Sequence, residues 1–215
     1  MTKRALVLIG SPRGLEKSSS ASLSRSITEP FDETEWTIDR IHLHQAVQSE
    51  EATADLNAQV DAAELILFAA PLYVDSLPAP AIRAFEQIAT HRTGRTDAQK
   101  VPRFAVLVNC GFVEPQHNRT AVGICRRFSE VAGFEWSGDL MLGAAGARTG
   151  RVLRALREAG QALSKGFPIL PDVRKRVRRP VIPRLAYILV GNLMWRRMAK
   201  RLGVSKSELL AQPYL

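Results

Sequence analysis

Five apolar runs recur along the first two thirds of the chain, and segments with helical spacing separate them. The runs cover residues 4–10, 34–43, 64–71, 103–111 and 134–143. The first, third and fourth are nearly continuous Val, Leu, Ile and Ala, which is typical of strands covered on both faces of a parallel sheet. The second alternates only loosely, and this favours a strand at the edge of the sheet.

A helical pattern follows each run, so strands and helices alternate five times. These patterns cover residues 18–28, 49–63, 80–91, 119–133 and 149–166. Strands that alternate with helices of about 10–15 residues form right-handed βαβ units around a parallel sheet. We therefore predict an α/β fold with a doubly wound five-stranded parallel sheet in the flavodoxin-like order 2-1-3-4-5. Half of a dinucleotide-binding Rossmann fold is the alternative.

The pattern changes after Gly166. Prolines and basic residues dominate up to Pro183, and residues 184–203 then have helical spacing interrupted by Gly191. We predict a flavodoxin-like domain over 1–166 and a basic C-terminal helical extension over 167–215. We expect the extension to pack on the domain, because its large apolar side chains need burial. Those side chains are Leu185, Tyr187, Ile188, Leu193, Met194 and Trp195.

Charge is distributed as unevenly as hydropathy. The net charge is +9, yet residues 1–147 hold 14 Lys and Arg against 18 Asp and Glu, and residues 148–206 hold 16 Lys and Arg against two acids. Three interpretations of this basic segment, mainly residues 167–206, stay open: a solvated face, an attraction for NADPH phosphates or an acidic protein, and contact with an anionic membrane surface. We expect no nucleic-acid binding, because no motif for it is present.

Cysteine and histidine content bounds the chemistry further. Two cysteines, Cys110 and Cys125, are too few for a disulfide framework and favour a cytoplasmic protein. The four histidines have no metal-binding spacing, so we expect no metal site. The first apolar run is too short for a signal peptide, and no run approaches the ~20 residues that span a bilayer.

Two loops of unusual composition should meet where the winding of such a sheet reverses, between the first and third strands. They are GSPRGLEKSSS after the first strand and PLYVDSLPAP after the third. The first offers hydroxyls and the N–H groups of a helix start, which suit an anion. It matches neither the Walker A pattern nor G-x-G-x-x-G. The alternatives are an ordinary turn with Ser18 as the helix N-cap, and a structured turn in the second loop with Tyr73 packed inside it.

Together these two motifs resemble the flavodoxin-like NAD(P)H-dependent FMN reductases over about residues 4–165. The resemblance implies that the first loop binds the FMN phosphate through Ser11, Arg13, Ser18, Ser19 and Ser20. It implies that one side of the flavin ring meets Pro71, Leu72, Tyr73 and Val74. It implies that the other side meets Asn109, Cys110, Gly111 and Phe112. The basic extension is not part of the family pattern.

The function that we predict is therefore that of an FMN-binding oxidoreductase. It would take electrons from NAD(P)H and pass them to a small acceptor such as a quinone or a free flavin. No catalytic side chain is singled out, because a flavin carries the hydride itself. A non-enzymatic flavodoxin-type electron carrier and a binding module that docks through its basic extension are the alternatives. The resemblance also suggests a homodimer, in which a second chain covers the ring.

Overall fold

A computed structural model describes residues 2–94, 100–144 and 148–211 of the chain. Five parallel strands form one sheet in the order β2-β1-β3-β4-β5. Their bounds are β1 Lys3–Ile9, β2 Trp36–His42, β3 Leu65–Pro71, β4 Arg103–Asn109 and β5 Glu135–Leu142. The predicted doubly wound sheet and its strand order are confirmed.

Helices cover both faces of the sheet, because each central strand is apolar on both sides. One apolar cluster joins the sheet to α4, α5 and α6, and a second joins it to α2, α7 and α8. The helices are α1 Gly14–Lys17, α2 Ser19–Thr28, α3 Leu43–Ala46, α4 Glu50–Ala62, α5 Ala79–Arg92, α6 Arg119–Val131, α7 Gly150–Ser164, α8 Pro171–Val177, α9 Arg184–Arg201 and α10 Lys206–Leu210.

A glycine lets the two helices of the second cluster approach closely. A Cβ atom at Gly160 of α7 would lie 1.8 Å from the carbonyl oxygen of Ile27 in α2. Only a residue without a side chain fits there, so α7 packs directly on the backbone of α2. This contact fixes α2, whose N-terminus follows the loop after β1.

The two halves of the C-terminal extension behave differently. In α8, Val173 and Val177 are buried against β5 and α7. In α9 no residue is buried. The expected burial of six apolar side chains is wrong, since their exposed fractions are Leu185 76%, Tyr187 36%, Ile188 44%, Leu193 51%, Met194 65% and Trp195 64%. The physical reason is that the chain turns away after α8, and α9 touches the domain mainly near its start. Residues 212–215 of the predicted extension lie outside the described residues.

Across the described ranges, every helix falls short of the length and apolar content that a membrane crossing requires. The same ranges contain no cluster of three or more His, Cys, Asp or Glu side chains that could hold a metal ion.

Candidate functional site

The carboxyl ends of β1, β3 and β4 lie side by side, and a loop leaves each of them. We call residues 10–18 the first loop, 72–78 the second and 110–118 the third. Strand register aligns their starting points, because Ile9 pairs with Ala69, and Pro71 pairs with Asn109. In a doubly wound sheet this edge, at the reversal of winding, is where ligands bind.

The first loop is held close to the sheet. A Cβ at Gly10 would lie 3.0 Å from the Ala70 side chain, so this strand end has little room for anything larger. His42, at the end of the neighbouring strand β2, has its Nε2 2.8 Å from the carbonyl oxygen of Ser11. Gly14 has a φ of +77°, a left-handed conformation that glycine adopts easily. The loop therefore has a fixed path from β1 into α1 and α2.

The loop ends at the N-terminus of α2, where Ser18 is the N-cap. Its hydroxyl accepts the backbone N–H of Ala21 at 3.1 Å. The amides of Ser19 and Ser20, at the start of the same turn, have no acceptor within the helix. The partial positive charge of a helix N-terminus adds to their attraction for an anion.

One buried side-chain hydrogen bond ties the first turn of α2, which follows the first loop, to the end of β4, from which the third loop leaves. The Ser20 hydroxyl donates to Oδ1 of Asn109 at 2.8 Å, and both side chains are buried. The second loop joins the same residue, because the backbone N–H of Leu72 donates to the carbonyl oxygen of Asn109 at 2.8 Å. Asn109 therefore connects the second loop with the end of the first loop and the start of the third.

The second loop is a tight turn with unusual backbone angles. Tyr73 and Ser76 exchange two backbone hydrogen bonds, both at 2.9 Å. Between them, Val74 has a φ of +47° and Asp75 a φ of +56°. Left-handed backbone is unfavourable for a β-branched residue, and such strain gathers at ligand-binding positions. The Val74 side chain is 99% exposed, so burial of that side chain does not offset the strain.

The third loop contains a buried polar group and an exposed ring. Asn118 is fully buried, and its Nδ2 donates to the carbonyl oxygens of Pro115 and Leu142 and contacts the Cys110 sulfur at 3.6 Å. Burial raises the pKa of the Cys110 thiol, which keeps the thiol neutral near pH 7. Phe112 is 54% exposed and its ring lies 4.6 Å from that of His117.

The structure brings the residues predicted from sequence to one edge of the sheet, but their side chains differ in how far they are exposed to solvent. Those of Arg13, Tyr73, Val74 and Phe112 are exposed, as is the backbone of Gly111, while Ser19, Pro71 and Leu72 are partly buried. Those of Ser11, Ser18, Ser20, Asn109 and Cys110 are buried. Ser18 and Ser20 are already used by the protein, as the N-cap and as the donor to Asn109, so backbone amides take on more of any anion binding.

Sequence reasoning missed three residues at this edge. His42 supports the first loop, Asn118 braces the third, and the Tyr187 hydroxyl of α9 donates to the carbonyl oxygen of Gly111. His42 could have been found, since it ends the strand that pairs with β1. The contacts of Asn118 and Tyr187 depend on how the third loop and the distant helix α9 fold back onto this edge. No local sequence pattern predicts either of them.

A cavity of about 710 Å³ opens elsewhere, along α2 and β2 beside Arg25, Trp36 and Arg40. None of its lining residues belongs to the three loops. At the three-loop edge itself, Arg13, Tyr73, Val74 and Phe112 are exposed, so this edge is an open surface that a flat ligand could lie on with one side accessible.

Comparison with known proteins now assigns the fold. Residues 3–109, from β1 to Asn109, match the family model described as the flavodoxin-like fold. The match covers just under half of the chain, and it agrees with the flavodoxin-like strand order of the sheet. The matched segment contains the first and second loops in full and ends at the anchor of the third. Among curated proteins, none matches the sequence at a significant level.

Solved structures with a flavodoxin-like fold match over most of their length. An FMN-dependent NADH-azoreductase from Bacillus anthracis, in complex with FMN, is 13% identical with a TM-score of 0.57, and the match covers 76% of this chain and 100% of that one. An NAD(P)H:quinone oxidoreductase from Methanothermobacter marburgensis is 18% identical with a TM-score of 0.55, covering 76% and 96%. An NADPH-quinone reductase from P. pentosaceus is 15% identical with a TM-score of 0.56, covering 78% and 99%.

Proposed function

We propose that the protein binds FMN and is an oxidoreductase that passes electrons from NAD(P)H to a small acceptor. The observation that carries this proposal is the convergence of the three loops on Asn109. It places a helix N-terminus beside a strained turn and exposed rings, which fits a phosphate joined to a flat ring. The similar structures are an FMN-dependent NADH-azoreductase, an NAD(P)H:quinone oxidoreductase and an NADPH-quinone reductase, and this supports the same class of chemistry here.

The phosphate end fits the first loop. The amides of Ser19 and Ser20 begin the ten-residue helix α2, and the exposed Arg13 guanidinium lies six residues before its start. Charge-assisted hydrogen bonds from such groups are the strong ones in anion binding. The hydroxyls of Ser18 and Ser20 are engaged within the protein, so we assign them mainly to shaping the loop.

The ring end fits the second and third loops. Tyr73 is 43% exposed and Phe112 54% exposed, and both belong to loops that start at the same sheet edge. A flat heteroaromatic ring would cover this apolar surface, while backbone amides of the strained turn at Val74 and Asp75 would meet its polar edge. When bound, the flavin supplies the hydride chemistry, and the protein supplies position and water exclusion.

The finer assignments follow from the openness of the cradle. A small acceptor such as a quinone would enter after NAD(P)H leaves, since an open site can admit the two in turn. A second copy of the chain that covered the ring would enclose the site, so we propose a homodimer. Both cysteines are free and buried, which fits a reducing cytoplasm.

Binding of FMN and of riboflavin, which lacks the phosphate, tests the cradle by fluorescence titration. Arg13→Ala should weaken FMN binding about ten- to hundredfold, because a charge-assisted contact is worth about 1.5–3 kcal/mol. Riboflavin binding should be unchanged. Arg127→Ala, at an exposed position on α6, is the matched control and should behave like the parent. Absence of FMN binding at micromolar concentration would overturn the proposal.

Turnover separates an enzyme from an electron carrier. With FMN bound, the protein should oxidise NADH or NADPH steadily when a soluble quinone is added, without any partner reductase. Comparison of the two nucleotides gives the donor preference. FMN binding with no nucleotide oxidation would instead support the flavodoxin-type carrier.

A further inference from the structure

The central part of α9 is an apolar surface that the described part of the chain leaves exposed. Every large apolar side chain from Leu185 to Trp195 is at least 36% exposed. Soluble monomers rarely leave a contiguous apolar patch of this kind uncovered, so it marks a contact surface.

Basic side chains flank this apolar section on both sides. Arg179 precedes it, as do Arg178 and Arg184, which pair with Asp139 and Glu114, and Arg196, Arg197, Lys200 and Arg201 follow it. Within residues 167–211 the acids are Asp172 and Glu208. Asp172 pairs with Arg176, and Glu208 is engaged in a capping box with Ser205. The surface around α9 is therefore strongly cationic.

Helical spacing places Tyr187, Ile188, Met194, Trp195 and Met198 on one continuous side of α9. The other side is mixed, because Leu189 and Leu193 share it with Arg196 and Lys200. The exposed apolar section therefore runs around the helix from Leu185 to Trp195, and the cations are concentrated in the turns that follow it. Tyr and Trp in an apolar section next to Lys and Arg are typical of segments that bind at a membrane interface.

We propose that α9 docks the protein on an anionic lipid bilayer, with its apolar section in the interface and the cations that flank this section against the headgroups. The apolar section spans 11 residues, or about 16 Å at about 1.5 Å per residue, which is far below the ~30 Å of a hydrocarbon core. The helix therefore lies along the surface of the bilayer and does not cross it.

Charge complementarity favours lipid over a second copy of the chain. Pairing two α9 helices through their apolar sides would bring two cationic segments together with few acids to compensate, and like charges across an interface cost several kcal/mol. An anionic bilayer gains from the same cations, at about 1 kcal/mol for each Lys or Arg near the surface.

The start of α9 lies beside the three-loop cradle. Tyr187 donates to the carbonyl oxygen of Gly111, and Nε of Arg184 lies 3.5 Å from Oε1 of Glu114. Docking would therefore hold the third loop near the bilayer, where apolar quinones dissolve. This consequence rests on the proposed function, whereas the docking itself does not.

Co-sedimentation of the full chain with vesicles tests the docking without any flavin. The protein should sediment with vesicles of phosphatidylcholine and phosphatidylglycerol, and not with phosphatidylcholine alone. Arg196→Glu with Arg197→Glu should weaken this binding more than about tenfold, since each charge contributes about 1 kcal/mol. Arg83→Glu with Arg127→Glu makes the same charge change at exposed positions of α5 and α6 and should weaken it far less. Because α9 has no buried residue, the first variant should keep the parent's melting temperature.

Tryptophan fluorescence reports where α9 lies. Trp195 is 64% exposed, so its emission should shift to the blue on vesicle binding, and brominated lipids should quench it. Trp195→Phe should lose the shift and keep most of the sedimentation. Equal vesicle binding by the Arg196/Arg197 variant and its control would overturn the proposal. So would a lipid-free dimer that shields Trp195 from acrylamide. FMN binding is measured separately, so either proposal can fail while the other stands.

Discussion

The helices α8 and α9 are neighbours in sequence and both are basic, yet one is part of the fold and the other is not. Two of the seven residues of α8 are buried, and both are valines. None of the eighteen residues of α9 is buried. Positive charge is common to both, so charge does not decide which helix packs. The difference lies in what the domain offers to each.

The domain offers α8 a buried acid and an apolar surface. Asp139 of β5 is 2% exposed and pairs with Arg174 of α8 and with Arg178, the C-cap residue of that helix. From α7, the Arg151 guanidinium donates to the carbonyl oxygens of Arg176, Arg179 and Pro180 at the end of α8. By contrast, the ion pair that joins α9 to the domain is that of Arg184, whose side chain is 78% exposed. The basic helix α8 therefore packs on the domain where its arginines form ion pairs with a buried carboxylate.

Removal of the buried carboxylate of Asp139 should have the largest effect on stability, because it takes away the interaction that distinguishes α8 from α9. Asp139→Asn keeps the shape and removes the charge that both arginines approach. We expect a loss of about 2–4 kcal/mol in the free energy of unfolding, toward the lower end of what broken buried pairs cost, because the arginines are partly exposed and can turn to water. Urea denaturation measures it. A loss below about 0.5 kcal/mol, the scale of ordinary surface changes, would mean that the pairs do not anchor α8.

Matched valines sharpen the comparison at the level of packing. Val177 in α8 is fully buried, while Val190 in α9 is 57% exposed. Val177→Ala should destabilise the protein by about 2 kcal/mol through lost burial and an unfilled cavity. Val190→Ala should change stability by less than about 0.5 kcal/mol. Equal effects of the two changes in thermal or urea unfolding would show that α9 is covered in solution by something that the monomer lacks.

The pattern of apolar positions was enough to predict the sheet and its order. Each strand is a local run, and the alternation with helices leaves few topologies once right-handed crossovers are required. The two loops were also predictable, because strand order alone decides which loops meet. The roles of single side chains in these loops could not be predicted from sequence. The Ser20 hydroxyl, for example, donates its hydrogen bond to Asn109, which lies 89 residues away in the chain.

Which part of the C-terminal extension packs on the domain was not predictable either, because this also depends on contacts between residues that are far apart in sequence. Asp139 lies in a run that alternates little, and nothing local shows that its carboxylate faces inward toward two arginines of a later helix. Gly138, with a φ of +114°, marks an irregularity that lets Ile169 approach the strand. The apolar residues of α9 predicted burial, but a side chain is buried only where an apolar surface receives it. The apolar surface of β5 and α7 is covered by Val173 and Val177 of α8, and no residue of α9 is buried.

A half-buried ion pair between α7 and α8 provides the smallest and most selective test. Arg176 of α8 pairs with Glu158 of α7, and its hydrogen bond lowers the pKa of Glu158 below the ordinary value of 4.5. Because the folded pKa is the lower one, the pair stabilises the fold above the unfolded pKa, and this contribution is lost as the pH falls through the folded pKa. Glu158→Gln should therefore lower the melting temperature slightly at neutral pH, and the difference from the parent should shrink and vanish as the pH falls through the lowered pKa of Glu158.

The Arg176→Gln background is the control for that pair, since Glu158→Gln should have no pH-dependent effect there. If Glu158→Gln instead cost as much as Asp139→Asn, surface pairs alone would hold α8 in place. Arg184 and Glu114 would then be expected to anchor α9 equally well. The exposure of α9 argues against that outcome, because one such pair is present there and the helix remains unburied.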